Sequence, residues 1–417
     1  MRRAFRYRLR TTTHQQRELA IALESHRRLY NQALQQRKTV YQTEQRSFSF
    51  VGQCRWFTQQ RASNPFFARL NAASGQETLR RLDRAFAHFF RRIKEGAKPG
   101  YPRFKGRDRF DSFTFRSYGD GIKLLDNNRL RVHNVGTIRV KLHRPTEGTI
   151  KTATLKREAD KWFVVFSCEL PDVPLADNGK PAVGIDVGLE SFLTTSDGER
   201  EPNPRYLKKE LPALRRAGRA VARKRKGGSK RRKAARRLQT IHARVKNVRH
   251  EHHYQVACRL VLAYGLIAVE SLNIQGMLGN GRLARAIADA AWGAFVSILK
   301  HKAAKAGVAV VEVDPKGTSQ ECSGCGQEVQ KDLSVRWHDC PYCGLSLDRD
   351  HNAASNILAR GLARTGPAGV NVTGCRKRPP RSHRVYATES SQCGHCEVYS
   401  PRRSLGREAI SPTAASK

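Results

Sequence analysis

Apolar residues recur at two different spacings along this chain. From residue 12 to residue 41, and again from about Gln76 to Ile93, they recur near every third or fourth position, which predicts two amphipathic helices. Between residues 110 and 170 they alternate with polar residues in short runs separated by Asn and Gly, which predicts antiparallel strands. The alternating start, Phe5 to Leu9, predicts one more strand. The first 170 residues therefore predict an antiparallel β-domain, a small barrel, with the helices inserted in it.

The chain after residue 182 shows a different pattern, with continuous apolar runs in place of alternating ones. Such runs are typical of strands buried on both faces, and helical patterns separate them. The predicted strands are 182–186, a second strand between Gly188 and the turn at Asp197-Gly198, 266–272 and 308–313. The predicted helices are 253–264, 289–307 and 352–362, with a loop over 276–285. The pattern predicts an α/β sheet.

Basic residues greatly outnumber acidic ones, with 78 Lys and Arg against 36 Asp and Glu and a formal charge of +42. The segment from Leu211 to His250 contains no acidic residue. A solvated face or tail is one interpretation of it. We favour a basic helical pair that binds a nucleic-acid backbone, because the segment lies between two buried strands.

No apolar run is long enough to span a bilayer, and the first residues lack the apolar core of a secretory signal. These features predict no membrane partner and an intracellular location, where the ten cysteines are expected to be thiols or metal ligands.

Three acidic residues occupy positions that favour metal binding. Asp186 and Glu270 each follow a buried apolar run, where an unpaired charge is costly unless it binds a cation. Asp350 comes at the start of the last predicted helix, and Asp348 competes with it for the third position. Three carboxylates can hold two Mg²⁺ or Mn²⁺ ions for phosphodiester cleavage, with one ion activating water and the other stabilising the leaving oxygen.

Four cysteines follow in the arrangement of a structural zinc site. Cys322 and Cys325 form one CxxC pair, and Cys340 and Cys343 form a second pair fourteen residues later. A redox-active CxxC is the alternative, but two paired knuckles at this spacing favour tetrahedral Zn²⁺.

The residues after 365 are rich in Gly, Pro, Ser and Arg, which predicts a disordered tail. In it, Cys393 and Cys396, with Cys375 or His383, give only a weak signal for a second metal site, because four well-placed ligands are not evident.

Taken together, these motifs resemble those of the TnpB family of transposon-encoded RNA-guided endonucleases, which are also described as OrfB-type transposases and are related to type V CRISPR effectors. The resemblance spans about residues 4 to 365. It rests chiefly on Ile185-Asp186-Val-Gly188, Glu270-Ser-Leu272, the ribbon that starts at Thr318-Ser-Gln320, and Asp348-Arg-Asp350-x-Asn352-Ala-Ala-x-Asn356.

This resemblance implies a RuvC-like RNase H fold interrupted by a zinc ribbon, and an N-terminal wedge β-barrel with a helical recognition insert. It implies that Asp186, Glu270 and Asp350 are the catalytic acids. It also implies a guide RNA from the transposon end and a double-stranded DNA target, in the cytoplasm of a prokaryotic cell and associated with the nucleoid when DNA is bound.

The corresponding domain boundaries can be drawn along the sequence. We expect the first barrel strand at 1–12, the recognition insert at 13–105, the barrel at 106–172, the nuclease domain at 173–316 with a basic helical segment at 207–250, the ribbon at 317–347, the end of the nuclease domain at 348–364, and the tail at 365–417.

Two other functions are compatible with parts of the same sequence. One is a non-catalytic nucleic-acid-binding protein such as a repressor, although a pure binder has no need of acids that face a polyanion. The other is a transposase that joins strands, which could use the same acids and metals.

Overall fold

The protein was analysed as a computed structural model, in which residues 1–175, 179–332 and 335–365 are described. The chain divides into two units. The first contains Met1–Asp172 and Arg205–His250, and the second contains Val173–Pro204 and the chain from Glu251 onward. The predicted tail, with Cys393 and Cys396, lies outside the described residues.

The first unit is built on a seven-stranded sheet in which every pairing is antiparallel. Its strands are β1 (Arg2–Arg10), β2 (Ser112–Phe115), β3 (Ile122–Leu125), β4 (Arg129–Val132), β5 (Gly136–Lys141), β6 (Thr149–Glu158) and β7 (Lys161–Glu169). They are ordered β2-β6-β7-β1-β5-β4-β3. The predicted N-terminal strand therefore enters the middle of the sheet, where it pairs with β7 and β5. The antiparallel prediction is confirmed.

Helices in this unit arise from both predicted and unpredicted segments. They are α1 (Thr13–Glu44), α2 (Phe50–Ser63), α3 (Pro65–Ala68), α4 (Ala72–Lys94) and α5 (Tyr206–Ala222). The Thr12 side chain accepts a hydrogen bond from the backbone of Gln15, whose side chain accepts one from Thr12, so a capping box fixes the start of α1. Helix α2 was not predicted.

A single long helix, α6 (Ser229–Ala263), begins in the first unit and continues into the second. The separate helix predicted from His253 is the last part of α6. The predicted basic helical segment lies in α5 and the first part of α6.

The second unit contains a mixed five-stranded sheet. Its strands are β8 (Ala182–Asp186), β9 (Ser191–Thr195), β10 (Arg200–Pro202), β11 (Leu266–Glu270) and β12 (Ala309–Val313), ordered β10-β9-β8-β11-β12. Strands β8, β11 and β12 are mutually parallel, and β9 and β10 continue the sheet in antiparallel pairings. The predicted α/β arrangement is confirmed for this unit.

The remaining elements of the second unit differ slightly from the predicted ones. They are α7 (Ile274–Met277), α8 (Ala284–Ala290), α9 (Trp292–Ala306), the hairpin strands β13 (Trp337–Asp339) and β14 (Ser346–Asp348), and α10 (Arg349–Thr365). The loop predicted over 276–285 thus overlaps two short helices. Ala291 has a φ of 53°, which separates α8 from α9 where one helix was predicted.

Small residues let α10 pack directly on the sheet. A Cβ atom at Gly184 of β8 would lie 2.1 Å from the Ala354 carbonyl oxygen, and one at Gly361 would lie 2.5 Å from the Ala268 Cβ atom. Because alternate residues of a strand face the same side, Asp186 and Glu270 lie on the same side of the sheet as Gly184 and Ala268. That side faces α10.

In the described ranges, no helix combines the length and the apolar character that a bilayer span requires.

Candidate functional site

The three predicted acids come together at one edge of the mixed sheet. Asp186 ends β8 and Glu270 ends β11, and these parallel neighbours pair in register up to Ile185 and Val269. Asp350 lies in the first turn of α10, and its Oδ2 atom is 3.9 Å from the point where a Cβ atom of Gly188 would stand. The arrangement follows from the sequence because parallel strands end at the same edge of a sheet.

Asp186 lies in the most strongly perturbed environment of the three. Burial, and then the charges of Glu270 and Asp350, raise the pKa of Asp186 from 3.8 to about 8, although Arg349 and the Val187 backbone act against the increase. All three side chains remain partly exposed. Clustered carboxylates that still reach solvent have the properties of a site for hard divalent cations.

Glu270 has a neutral hydrogen-bond donor beside it. The Thr318 hydroxyl donates to Glu270 Oε1 at 2.6 Å, and Thr318 itself is only 2% exposed. Burial raises the pKa of Glu270, and the Thr318 hydrogen bond and the charge of Arg360 partly oppose this. Neither Thr318 nor Arg360 could be assigned a role from the sequence, since neither is adjacent to an acid along the chain.

Asp348, the competitor for the third position, has other partners. Its Oδ1 atom accepts hydrogen bonds from the backbone amides of Asp350 and His351, at 2.9 and 3.2 Å, and so caps the start of α10. Its Oδ2 atom pairs with Arg200 at 2.6 Å. Asp350, not Asp348, is among the charges that raise the pKa of Asp186. The geometry therefore favours Asp350.

The four ribbon cysteines form a second candidate metal site. Their Sγ atoms all lie within 4.8 Å of one another, with Cys322 and Cys343 at 3.6 Å and Cys325 and Cys340 also at 3.6 Å. A tetrahedron with Zn–S bonds near 2.3 Å has edges of about 3.8 Å, so the four sulfurs fit zinc. Among the described residues they are the one set of three or more such ligand atoms that is already drawn together.

Within the thiol cluster, burial raises the pKa of Cys340, but backbone amides of Cys343 and Tyr342 and the neighbouring thiols lower it to about 6 overall. The Leu345 amide lowers the pKa of Cys343, but burial and the three neighbouring thiols raise it to about 12 overall, so the cluster favours ionisation of Cys340 first. A thiolate at neutral pH is the form that binds metal.

The basic helices offer a large cationic surface. In α6, Arg232, Lys233, Arg236 and Arg237 are all exposed, and no acidic residue occurs between Leu211 and His250. The concentration of positive charge fits contact with phosphate groups.

Comparison with known proteins gives three family matches along the chain. Residues 165–281 match the model of a probable transposase, and residues 292–357 match the TNB domain of Cas12f1-like proteins. Residues 1–46 match a model described as a helix-turn-helix domain. Here those residues form β1, one long helix and the residues around them, so that description does not fit their structure.

Relatives were found over nearly the whole chain. A protein of Streptomyces pristinaespiralis named "Putative RNA-guided DNA endonuclease" is 34% identical over 406 residues, which cover 95% of this chain and 96% of that one. A "TnpB-like protein" of Acanthamoeba polyphaga mimivirus is 31% identical over 240 residues, which cover 54% of this chain and 46% of that one.

Among solved structures, the complex of Cas12f1 with single-guide RNA and target DNA aligns with 87% of this chain and all of that chain, at 15% identity and a TM-score of 0.34. A score this low carries no inference about the fold. The sequence relationship instead shows the family, because the Streptomyces relative is 34% identical over 95% of this chain. The chain therefore belongs to the TnpB family of OrfB-type proteins.

Proposed function

We propose that this protein is an RNA-guided DNA endonuclease that hydrolyses phosphodiester bonds with divalent metal ions held by Asp186, Glu270 and Asp350. The observation that carries the proposal is the convergence of three carboxylates in a protein of formal charge +42. Acids that face a polyanion are unfavourable for simple binding, but they suit a metal-dependent nuclease. The Streptomyces relative, which carries the name of such an enzyme, supports the same function.

Each acid has a distinct task in this site. Asp186 and Glu270, at the ends of adjacent rigid strands, provide oxygen ligands from a fixed sheet edge. Asp350 provides a third from the first turn of α10, where Asp348 fixes the backbone. Mg²⁺ or Mn²⁺, when bound there, would activate water and stabilise the charge on the leaving oxygen. The partial exposure of the acids leaves room for a phosphate group.

The partners of the protein are RNA and DNA. The exposed cations of α6 suit a phosphate backbone of either kind. A guide RNA derived from the transposon end and a double-stranded DNA target are the specific partners that family membership suggests, with base pairing rather than the protein reading most of the target sequence. Structural Zn²⁺ in the ribbon completes the set of ligands.

The fold names implied by the family are part of this proposal. The mixed sheet with two acids at neighbouring strand ends supports a RuvC-like RNase H nuclease domain. The antiparallel sheet with helices between β1 and β2 supports a wedge barrel that carries a recognition insert. The predicted boundaries 13–105 and 317–347 remain proposals for the insert and the ribbon.

The experiment that tests the function combines RNA sequencing with a cleavage assay. RNA that co-purifies with the protein is sequenced, and Mg²⁺-dependent cleavage is measured on double-stranded DNA that matches the 3′ end of that RNA. We expect Asp186→Ala to abolish cleavage while RNA and DNA binding remain. Asp160→Ala, which changes an exposed acid in the turn between β6 and β7, is the matched control and should cleave normally.

Three results would contradict the proposal. Cleavage by Asp186→Ala would remove the assignment of the site. Heterogeneous RNA with no guided cleavage would favour a basic binding protein, and joined DNA ends without a need for guide RNA would favour a transposase.

A further inference from the structure

Thr318 connects the zinc ribbon to the carboxylate site. It lies between β12 and Cys322, and its hydroxyl is 2.6 Å from Glu270 Oε1 and 3.1 Å from the Pro315 carbonyl oxygen. The hydroxyl has one proton to donate, and the shorter distance directs it to Glu270. This hydrogen bond fixes the carboxylate and leaves its other oxygen available.

Helix α10 fixes Thr318 in turn. The Asn356 side-chain amide donates to the Thr318 carbonyl oxygen at 2.9 Å and to the Glu321 carbonyl oxygen at 2.7 Å. Asn352 donates to the same Glu321 oxygen at 2.7 Å and accepts from the Ser323 amide at 2.8 Å. Both asparagines are buried, and buried amides with satisfied hydrogen bonds hold backbone segments rigidly.

Arg360 adds a third side chain of α10 that binds the same segment as the two asparagines. It follows Asn352 and Asn356 at the same spacing of four residues, so the three side chains share one side of α10. Its guanidinium donates to the carbonyl oxygens of Asp314 and Lys316, at 2.8 and 2.7 Å, and to Glu321 Oε2 at 2.7 Å. The helix that carries Asp350 thus holds the segment 314–323 at both ends.

We propose that Thr318 is a positioning residue that holds Glu270 for the divalent metal ion, and that Asn356 keeps Thr318 in place. This inference rests on the proposed function, because it assumes that Glu270 is a metal ligand. It assigns the start of the ribbon a task in the nuclease site in addition to zinc binding. Hydrogen-bond partners of metal ligands typically change metal affinity by about 10- to 100-fold when they are removed.

The test measures Mn²⁺ binding to the purified ribonucleoprotein by electron paramagnetic resonance, alongside the Mg²⁺ dependence of cleavage. Thr318→Val keeps the side-chain shape and removes the hydroxyl. We expect it to weaken Mn²⁺ binding at the carboxylate site by about ten-fold, with much of the cleavage rate restored at saturating Mg²⁺. Thr318→Ser, which keeps the hydroxyl, should restore the affinity. Ser319→Ala, at an exposed neighbour, is the control.

A double-mutant cycle separates positioning from general structure. In a Glu270→Gln background, Thr318→Val should no longer change Mn²⁺ affinity, because the carboxylate on which it acts is gone. An effect of equal size in both backgrounds would overturn the proposal. So would wild-type Mn²⁺ affinity in the Thr318→Val protein.

Zinc content and thermal unfolding are measured for every variant. If Thr318→Val loses zinc, Asn356→Ala becomes the probe, since it keeps the hydroxyl but removes the donor to the Thr318 backbone. It must then weaken Mn²⁺ binding in the zinc-loaded protein, or the proposal fails. Asp186→Ala provides the background signal from RNA. If Asp186→Ala binds Mn²⁺ as the wild type does, the carboxylate site itself is wrong, which distinguishes failure of the proposed function from failure of this inference.

Discussion

Asp186 keeps its proton to a higher pH than an ordinary carboxyl group, so the stability of the protein should depend on pH. Its pKa is raised to about 8, chiefly by burial and then by Glu270 and Asp350. When folding raises the pKa of a carboxyl group, the group stabilises the folded state most at pH values below the pKa that it has in the unfolded chain. That contribution declines as pH rises through the folded pKa, so metal-free protein should lose stability between about pH 4 and pH 8.

Asp186→Asn tests this because asparagine cannot ionise. In the presence of a chelator for divalent cations that leaves zinc in place, we expect the variant to exceed the wild type in free energy of unfolding by about 2 kcal/mol or more at pH 8, since one pKa unit corresponds to about 1.4 kcal/mol. The difference should shrink toward pH 4. Denaturant unfolding across this pH range measures it, with Asp160→Asn as the exposed control. A difference that does not depend on pH would contradict the assigned environment.

Asp348 and Asp350 are two residues apart but should respond differently to substitution. Asp348→Ala removes the cap of α10 and the partner of Arg200, so we expect a loss of about 1 kcal/mol of stability with cleavage retained. Asp350→Asn should abolish cleavage and leave the fold intact. Unfolding and cleavage are measured on both variants, and the results show which of the two aspartates is the third acid of the site. The reverse pattern would make Asp348 the third acid.

At the scale of the elements, local sequence signals explain most of what could be predicted. The alternating runs predict the strands of the first sheet, and the apolar repeat from residue 12 predicts α1, whose start the structure places at a Thr12 capping box. Helix α2 escaped prediction because its apolar residues do not lie on one face. Only Gln53 and Phe57 of that helix are buried. The break at Ala291 also escaped, since an alanine with positive φ carries no local signal.

The residues of the candidate site were likewise only partly predictable from the sequence. Asp186 and Glu270 could be recognised because each ends a buried apolar run, and the cysteines because of their spacing. Thr318 could not be given a role, because its contact with Glu270 joins residues 48 positions apart. The helix start and the family resemblance already favour Asp350 over Asp348, but the pairing of Asp348 with Arg200 joins distant residues that the local pattern does not specify.

The ribbon should depend on zinc as an element. Cys322→Ser removes one of four thiolates that the fold brings within 4.8 Å. We expect metal analysis to find one zinc per wild-type chain and less in the variant, with stability lower by about 3 kcal/mol or more, because structural zinc contributes directly to folding. Cys258→Ser, outside the ribbon, is the control and should keep its zinc. Wild-type protein without zinc would refute the assignment.

The contact between β8 and α10 depends on the absence of a side chain at Gly184. A Cβ atom there would stand 2.1 Å from the Ala354 carbonyl oxygen and 2.5 Å from the Leu358 amide nitrogen, both of which are backbone atoms. We expect Gly184→Ala to destabilise the second unit by about 3 kcal/mol and to lower cleavage by displacing Asp350.

Gly218→Ala provides the matched control for this substitution. Gly218 lies within α5, and nothing stands within 4 Å of its Cβ position. This variant should gain up to about 1 kcal/mol, since alanine favours a helix over glycine. Equal effects of the two substitutions on the unfolding midpoint would show that α10 does not pack as closely as described.

At the scale of the whole molecule, the formal charge of +42 favours the binding of nucleic acid. So many like charges repel one another in a folded chain unless a polyanion balances them. RNA binding should therefore stabilise the protein as well as direct it. In the proposed function, divalent cations bound by the three acids would offset the repulsion between these carboxylates and a phosphate backbone.

Binding to phosphates releases counterions from the nucleic acid, so the affinity falls as the salt concentration rises. The steepness of that fall reports how many phosphates the protein neutralises. For single-stranded nucleic acid, each phosphate that is neutralised adds about 0.7 to the slope of log affinity against log salt concentration. Replacing the exposed α6 residues Arg232, Lys233, Arg236 and Arg237 with glutamine should therefore reduce that slope by up to about 3 for the guide RNA. Anisotropy titrations over a series of salt concentrations give the slope. A variant that exchanges Arg and Lys at the same four positions keeps the charge and should keep the slope. An unchanged slope in the glutamine variant would mean that this surface of α6 does not contact the phosphate backbone.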